Sequence, residues 1–402
     1  MTATRIGRTT LIVCLGAAWI VGAWLLTRTT VPDLELGGAD AHRWFSDAQI
    51  ARAERYERFD YALWALELVA TLAVLVILAR RGPRLANSIA LGRIGTGVIL
   101  GMVMLVTLWA VSVPFGIAHQ WWAARHGLAE HAYLEWLVAP WAELSFSALF
   151  AMATIAIVMC LAGWLGSRWW LVGAPVFAVL AASFAFLSGY VAQVGTDRIT
   201  DPHVQQAVRT LEREEGVEGT PVRVQDVSDV TKQANAFATG FGPSTRVVLW
   251  DTLIDGRFSD DAVAFVVAHE FGHVAHRHVL KAIVWFALLA FPLAWLVTLA
   301  TRSRGGLANP ASLPLALLAL TVASLAAAPV ENAVSRRYEA EADWSALRAT
   351  DDPRAGTETF RRFQRLSLAD PSPPHWAYLW LQTHPTGVQR LAMMEAWRRG
   401  ER

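Results

Sequence analysis

The sequence predicts an all-α integral membrane protein with seven transmembrane helices, interrupted by polar stretches long enough to fold into a unit of their own. Two observations predict it. The 402 residues are 54% hydrophobic and 17% charged, with a mean hydropathy of +0.34, against roughly 45–50% and about 25% for an ordinary soluble chain. The apolar residues also fall into runs of the length a bilayer core requires, about 20 residues as a helix. These runs lie at 9–27, 61–79, 94–118, 136–165, 169–194, 279–300 and 311–330. The same composition excludes a disordered chain, a collagen-like fibre and a small disulfide scaffold.

The first run has no small-residue cleavage site and Arg28 follows it directly, so it reads as a helix and not as a removed signal. Residues 47–60 read as a charged helix leading into the second run, and Pro140 marks a bend or late entry in the fourth. Trp121, Trp122, Trp136, Trp169 and Trp170 sit at run ends, where interfacial aromatics belong. Glu67 and Glu143 lie in or near apolar runs and should face protein or water. Cys14 and Cys160 both lie inside runs and say little about redox compartment. The 35 basic and 34 acidic residues give a net charge of +1, with no excess to neutralise a phosphate backbone. Nucleic acid is therefore not a partner. The substantial polar regions are 195–278 and 331–402.

The first polar region ends in the chemistry. Ser259 is a helix N-cap, followed by Asp260 and Asp261 in the first turn. The helix then carries His269-Glu270-Phe271-Gly272-His273. Residues four apart share a helix face, so His269 and His273 can hold one metal ion, with Glu270 placed to reach a metal-bound water. This is the H-E-x-x-H pattern of zinc peptidases. A metzincin extension would need Gly at 276 and His at 279, where the chain has His276 and Val279. A site-2 type intramembrane protease would bury the motif in a span, whereas here Arg277, His278 and Lys281 place it at a boundary. A catalytic zinc usually has a third protein ligand. After the last run, Glu339 and Asp343 are four apart on a helix; one can be that ligand, and the other can accept a hydrogen bond from a ligand histidine. His276 and His278 are rival ligands, but at three and five residues from His273 they fit the same metal poorly and read as boundary residues.

These segments resemble the CAAX prenyl protease 1 family, zinc endopeptidases of the membrane. His269–His273 lies just before the sixth of seven spans, and Glu339-Ala340-Glu341-Ala342-Asp343 just after the seventh. Asn235-Ala236-Phe237, Gly240-Phe241-Gly242 and the run 246–253 resemble the family's substrate-side strands, and His384-Pro385 with Arg390-Leu391 resembles its C-terminal motif. The resemblance implies a zincin-type α+β catalytic domain carrying a small sheet, and one Zn²⁺ per chain held by His269, His273 and Glu339. It implies Glu270 as the base that activates water and Asp343 as the residue orienting a ligand histidine. It places His384 and Arg390 near the oxyanion and the carboxylate ligand, and Asn235, Ala236 and Phe237 beside the substrate backbone. It also implies a wide water-filled chamber enclosed by the seven helices.

The expected division is a membrane domain at 1–194 with five spans, then a zinc peptidase domain at 195–402 that includes the spans at about 279–300 and about 311–330. The expected partners are membrane lipid and a peptide or protein substrate, lipid-linked or membrane-inserted substrates included; the expected location is a bacterial cell membrane. The alternatives are an inactive zinc-binding scaffold that uses the chamber for lipid or a partner, and a seven-span transporter or receptor with a fortuitous motif.

Overall fold

The computed structural model describes residues 16–34, 36, 40–89, 91–129, 133, 137, 141–229 and 231–401. The helices are α1 (Gly16–Leu26), α2 (Asp47–Asn87), α3 (Gly92–Arg125), α4 (Trp141–Leu165), α5 (Trp170–Val191), α6 (Pro202–Glu214), α7 (Asp260–Ala275), α8 (His278–Thr301), α9 (Leu313–Thr350), α10 (Pro353–Ser367), α11 (His375–Trp380) and α12 (Gly387–Arg398). Six of them, α2, α3, α4, α5, α8 and α9, are long and apolar enough to cross a membrane. The chain is an integral membrane protein. Of the first apolar run, α1 is the described part and is shorter than a span. Pro140, Trp136 and Cys14 lie outside the described residues, as does the side chain of Glu143. Trp169, at the start of α5, is buried and packed against Gly173.

The six long helices follow one another round a ring: α2 packs on α3, α3 on α4, α4 on α5, α5 on α8, α8 on α9, and α9 back on α2. Only 11–28% of their most apolar stretches is buried. A close-packed bundle would bury far more, so both the outer and the inner faces of the ring are accessible.

Two helices carry the chain from lipid to site. Helix α2 starts at Ser46, whose hydroxyl accepts from the N–H of Gln49 while the Gln49 side chain accepts from the Ser46 N–H. This reciprocal cap satisfies two otherwise orphaned donors. At 41 residues α2 is about 60 Å long, twice a hydrocarbon core of about 30 Å. Its charged first turns therefore stand outside the apolar zone. Helix α9, at 38 residues, does the same at its other end, and the part beyond Val330 carries Glu339 and Asp343.

Four short strands lie beside α7: β1 (Thr196–Arg198), β2 (Val222–Gln225), β3 (Ala236–Thr239) and β4 (Arg246–Trp250). Their order is β1-β2-β4-β3, with β2 and β4 parallel and the other pairs antiparallel. Central β4 buries Val247, Val248 and Leu249 completely. Val247 and Leu249 join Phe265 and Phe271 of α7, Leu347 of α9, and Leu391 and Met394 of α12 in the main core. Strand β3 is an edge, with one side unpaired.

Candidate active site

The helix that carries the motif forms where the sequence predicts it. Ser259 caps α7, its hydroxyl accepting from the N–H of Ala262 at 3.2 Å. Helix α7 crosses α9 at Gly272, where a Cβ would stand 2.9 Å from Cβ of Ser345 and 3.1 Å from Cα of Ala342. That close approach brings the two histidines against the two carboxylates of α9.

The nitrogen Nε2 of His269 lies 3.1 Å from Nε2 of His273. Glu339 completes the triangle, with Oε2 3.4 Å from His269 Nε2 and Oε1 3.5 Å from His273 Nε2. Ligands about 2.0–2.1 Å from a tetrahedral zinc are about 3.3 Å apart, so the three donors already stand at the edges of such a site. Glu339 Oε2 is buried with no hydrogen-bond partner, although His384 Nε2 is 3.1 Å away and His269 Nε2 is near. An orphaned buried carboxylate oxygen facing two imidazoles is a donor set suited to a cation, and these residues fit zinc. The charges agree. Burial lowers both histidines, but hydrogen bonds to Asp343 and Glu339 push His269 up to about 10, while His273 falls to about 3 through burial and its neighbour's charge. One positive charge has a place between the carboxylates, and a proton takes it when no metal does.

Asp343 and Glu339 stand on opposite sides of the His269 ring. Asp343 is fully buried behind His269, its Oδ1 2.8 Å from His269 Nδ1. Arg390 of α12 donates to Asp343 through Nε at 2.7 Å and through Nη2 at 2.5 Å, its guanidinium 4.0 Å from the Phe360 ring. Arg390 thus holds the carboxylate behind the histidine. His384 is half-exposed; its Nδ1 meets the Thr383 hydroxyl at 2.9 Å, and its Nε2 points at Glu339. Burial lowers its pKa, partly opposed by Glu339.

Glu270 is buried, and burial together with the Glu339 charge raises its carboxyl to about 7, opposed in part by a hydrogen bond from the backbone of Ala238. That bond fixes the geometry of the sheet edge. The N–H of Trp250 donates to the carbonyl of Asn235 at 3.0 Å, so in the antiparallel register Phe237 and Thr239 also face β4. Ala236 and Ala238 then direct their backbone groups to the open side, toward Glu270. A cleft of about 380 Å³ on one side is lined by Asn235, Ala236, Phe265, His269, Glu270 and His384. A second, of about 760 Å³, is lined by Ala238, Thr239, Phe241 and His273. The open edge of β3 runs from one cleft to the other past the motif. Asn235 is exposed at the lip, whereas Phe237 lines neither cleft.

Two features were not legible in the sequence. His278, the first residue of α8 and so at the boundary the sequence assigns it, is buried and touches His273; the break in the helix at Arg277 changes where it points. Arg336 is also buried. Its Nη1 donates to the carbonyls of Tyr378 and Gln382 at 2.8 and 2.6 Å, and its guanidinium lies 4.1 Å from the Tyr378 ring. Together with Asn332, which donates to the Leu379 carbonyl at 3.1 Å, it pins the segment that leads to His384. The one available signal was spacing, since Arg336 lies three residues before Glu339 on the same helix face.

Two histidines one turn apart, a glutamate from a second helix, and a buried glutamate beside an open strand edge make a metallohydrolase-type centre at the rim of a ring of membrane helices. The sequence pattern of peptidase family M48 matches residues 198–398, half of the chain. The chain belongs to peptidase family M48, which classes it with the metalloendopeptidase hydrolases. It is 27% identical over 281 residues to the uncharacterized metalloprotease YhfN of Bacillus subtilis, a match that covers 64% of each chain. It is 29% identical over 255 residues to a protease HtpX homolog of Ralstonia pickettii, covering 60% of this chain and 83% of that one. It is 30% identical over 186 residues to a CAAX prenyl protease 1 homolog of rice, covering 43% and 42%. The crystal structure of S. mikatae Ste24p has the same fold, with a TM-score of 0.74 at 16% identity over 94% of this chain and 96% of that one.

Proposed function

We propose that the chain is a membrane-embedded zinc endopeptidase, similar to the CAAX prenyl proteases, that hydrolyses internal peptide bonds. The observation that carries this reading is the convergence of His269, His273 and Glu339 beside Glu270, at a strand edge open for a peptide. A zinc ion held by those three residues would polarise the scissile carbonyl and make an attacking water acidic at neutral pH. The chain's own groups do the rest. An extended substrate pairs with the outward N–H and C=O groups of Ala236 and with the C=O of Ala238, whose N–H is held by Glu270, as a strand added to β3. Asn235 stands at the lip where such a strand enters. Glu270 takes a proton from the attacking water and gives it to the departing amine nitrogen as the C–N bond breaks. The Glu339 carboxylate 3.1 Å from His384 Nε2 favours the hydrogen on that nitrogen, which donates to the oxyanion as the carbonyl becomes tetrahedral. Asp343, gripped by Arg390, holds the ring of His269.

Lipid-linked or membrane-inserted peptides suit this site, because α2 and α9 run directly from the apolar zone to the cleft. The accessible inner face of the helix ring supports a chamber enclosed by the helices. We read residues 9–27 as a seventh span on that ring: Trp19 of α1 donates to the Leu288 carbonyl at 3.0 Å, and Tyr338 to the Leu26 carbonyl at 2.9 Å. The resulting division is a five-span membrane domain at 1–194 and a peptidase domain at 195–402.

The direct test is metal removal. Protein purified in detergent and stripped by a chelator is expected to lose cleavage of a peptide library, prenylated C-a-a-X peptides included, and to regain it at one equivalent of zinc. Cleavage that survives complete stripping contradicts the reading.

Two further results follow. Ala236→Pro removes an N–H that faces substrate and not β4, and edge strands tolerate proline. Its kcat/KM is expected to fall about three- to tenfold, the worth of one net hydrogen bond, with zinc content unchanged. Arg336→Met keeps the buried stem and removes both donors to the 378–382 segment. Its kcat is expected to fall on the order of tenfold, and to fall little further when combined with His384→Ala. Full additivity in that double-mutant cycle would mean that Arg336 does not act through His384.

A further inference from the structure

A metal-ligating histidine is oriented through the ring nitrogen that faces away from the metal. At His269 that nitrogen meets a carboxylate, Asp343. At His273 it meets another histidine. His273 Nδ1 lies 2.8 Å from Nδ1 of His278, and His278 Nε2 lies 3.0 Å from Oε2 of Glu341. The same carboxylate oxygen accepts from Lys281 Nζ at 3.0 Å, and Oε1 accepts from the backbone N–H of Thr30 at 2.6 Å. His276 Nδ1 stands farther off, 3.6 Å from Oε1. His278 and Glu341 are 5% and 1% exposed, and the His278 ring stacks on Tyr338 with 4.7 Å between centroids.

The chain's conformation makes this contact possible. In an unbroken helix a residue five positions on is rotated about 140°, away from His273. Here α7 ends at Ala275 and Arg277 takes a left-handed conformation at φ 55°, which non-glycine residues seldom adopt. The break starts α8 in a new direction and turns His278 back beneath His273.

One condition then sets every hydrogen in the relay. A nitrogen that faces a metal presents its lone pair, so His273 carries its hydrogen on Nδ1. His278 Nδ1 must accept it, which leaves the His278 hydrogen on Nε2, donated to Glu341. With the His273 hydrogen on Nδ1, the other neutral His278 tautomer puts two hydrogens face to face at 2.8 Å and a lone pair against the Glu341 carboxylate at 3.0 Å.

We infer that His278 and Glu341 are positioning residues for His273, a relay anchored by Lys281 and Thr30 that fixes the tautomer and ring plane of the second zinc ligand. The inference rests on the metal site proposed above. The experiment measures the zinc dissociation constant of the full-length protein in detergent by chelator competition, with the thermal midpoint of the metal-free protein as the control for folding. His278→Phe keeps the ring stack and removes the acceptor; its dissociation constant is expected to rise ten- to a hundredfold, with the metal-free midpoint little changed. His278→Asn puts a carbonyl oxygen where Nδ1 stood and is expected to restore most of the affinity. Should the Phe variant fail to fold, Glu341→Gln reads the relay from its far end, and a several-fold weakening is expected there. An unchanged constant for His278→Phe, or for Glu341→Gln where that stands in, overturns the relay while leaving the zinc site intact. A wild-type protein that binds no zinc overturns the site and the relay together.

Discussion

Glu270→Gln is expected to keep its zinc and to lose turnover by a factor of about 10²–10⁴, the range general acid–base catalysis contributes. The substitution is nearly isosteric, so the packing of α7 and the hydrogen bond from the Ala238 backbone can persist. An amide cannot take a proton from the attacking water or return one to the amine. The environment already suits a base: burial raises Glu270 to about 7, near the pH at which proton transfer in both directions is easiest. The measurement is kcat on a cleaved peptide together with metal content per chain. A variant with normal zinc and normal turnover would assign the base elsewhere.

Glu339→Ala is expected to lose the metal itself. Zinc sites bind with about 10–16 kcal/mol, so one ligand of three or four is worth about 3–4 kcal/mol, on the order of 10²–10³-fold in affinity. Asp343→Ala, which removes the group behind His269 and not a ligand, is expected to weaken zinc less, about ten- to a hundredfold. The order of the two variants is the discriminating result. Chelator competition that ranks Asp343→Ala as the weaker binder would reverse the roles that the 2.8 Å contact at His269 Nδ1 gives them.

The histidine pair and its neighbour were legible in the sequence because a helix repeats, and residues four apart share a face whatever the fold around them. The same rule singled out Glu339 and Asp343 but could not rank them. Which carboxylate faces Nε2 and which lies behind Nδ1 depends on how α9 rotates against α7, and that is set by the absent side chain at Gly272. The contact of His278 with His273 was missed because the spacing argument assumes an unbroken helix. Nothing in Arg277 as a residue type announces a left-handed turn. Arg336 was missed because its partners are backbone carbonyls, which leave no trace in side-chain identity. The span pattern was readable from apolar runs, and six appear as membrane-length helices, while the first is described only from Gly16 to Leu26. Strands β3 and β4 were found through resemblance and not through alternation, and β1 and β2 were not singled out; edge strand β3, with the sequence Ala-Phe-Ala-Thr, is too short and too small in side chains to show a period.

The central claim is that this chain uses its own glutamate and a bound zinc to add water across an internal peptide bond. The most direct measurement is peptide cleavage in ¹⁸O-labelled water by zinc-loaded protein in detergent, read by mass spectrometry beside the Glu270→Gln variant. The expected result is internal cleavage with one ¹⁸O in the new carboxyl group, from the wild type alone. Cut peptides without the label, or equal cleavage by the Gln variant, would contradict it.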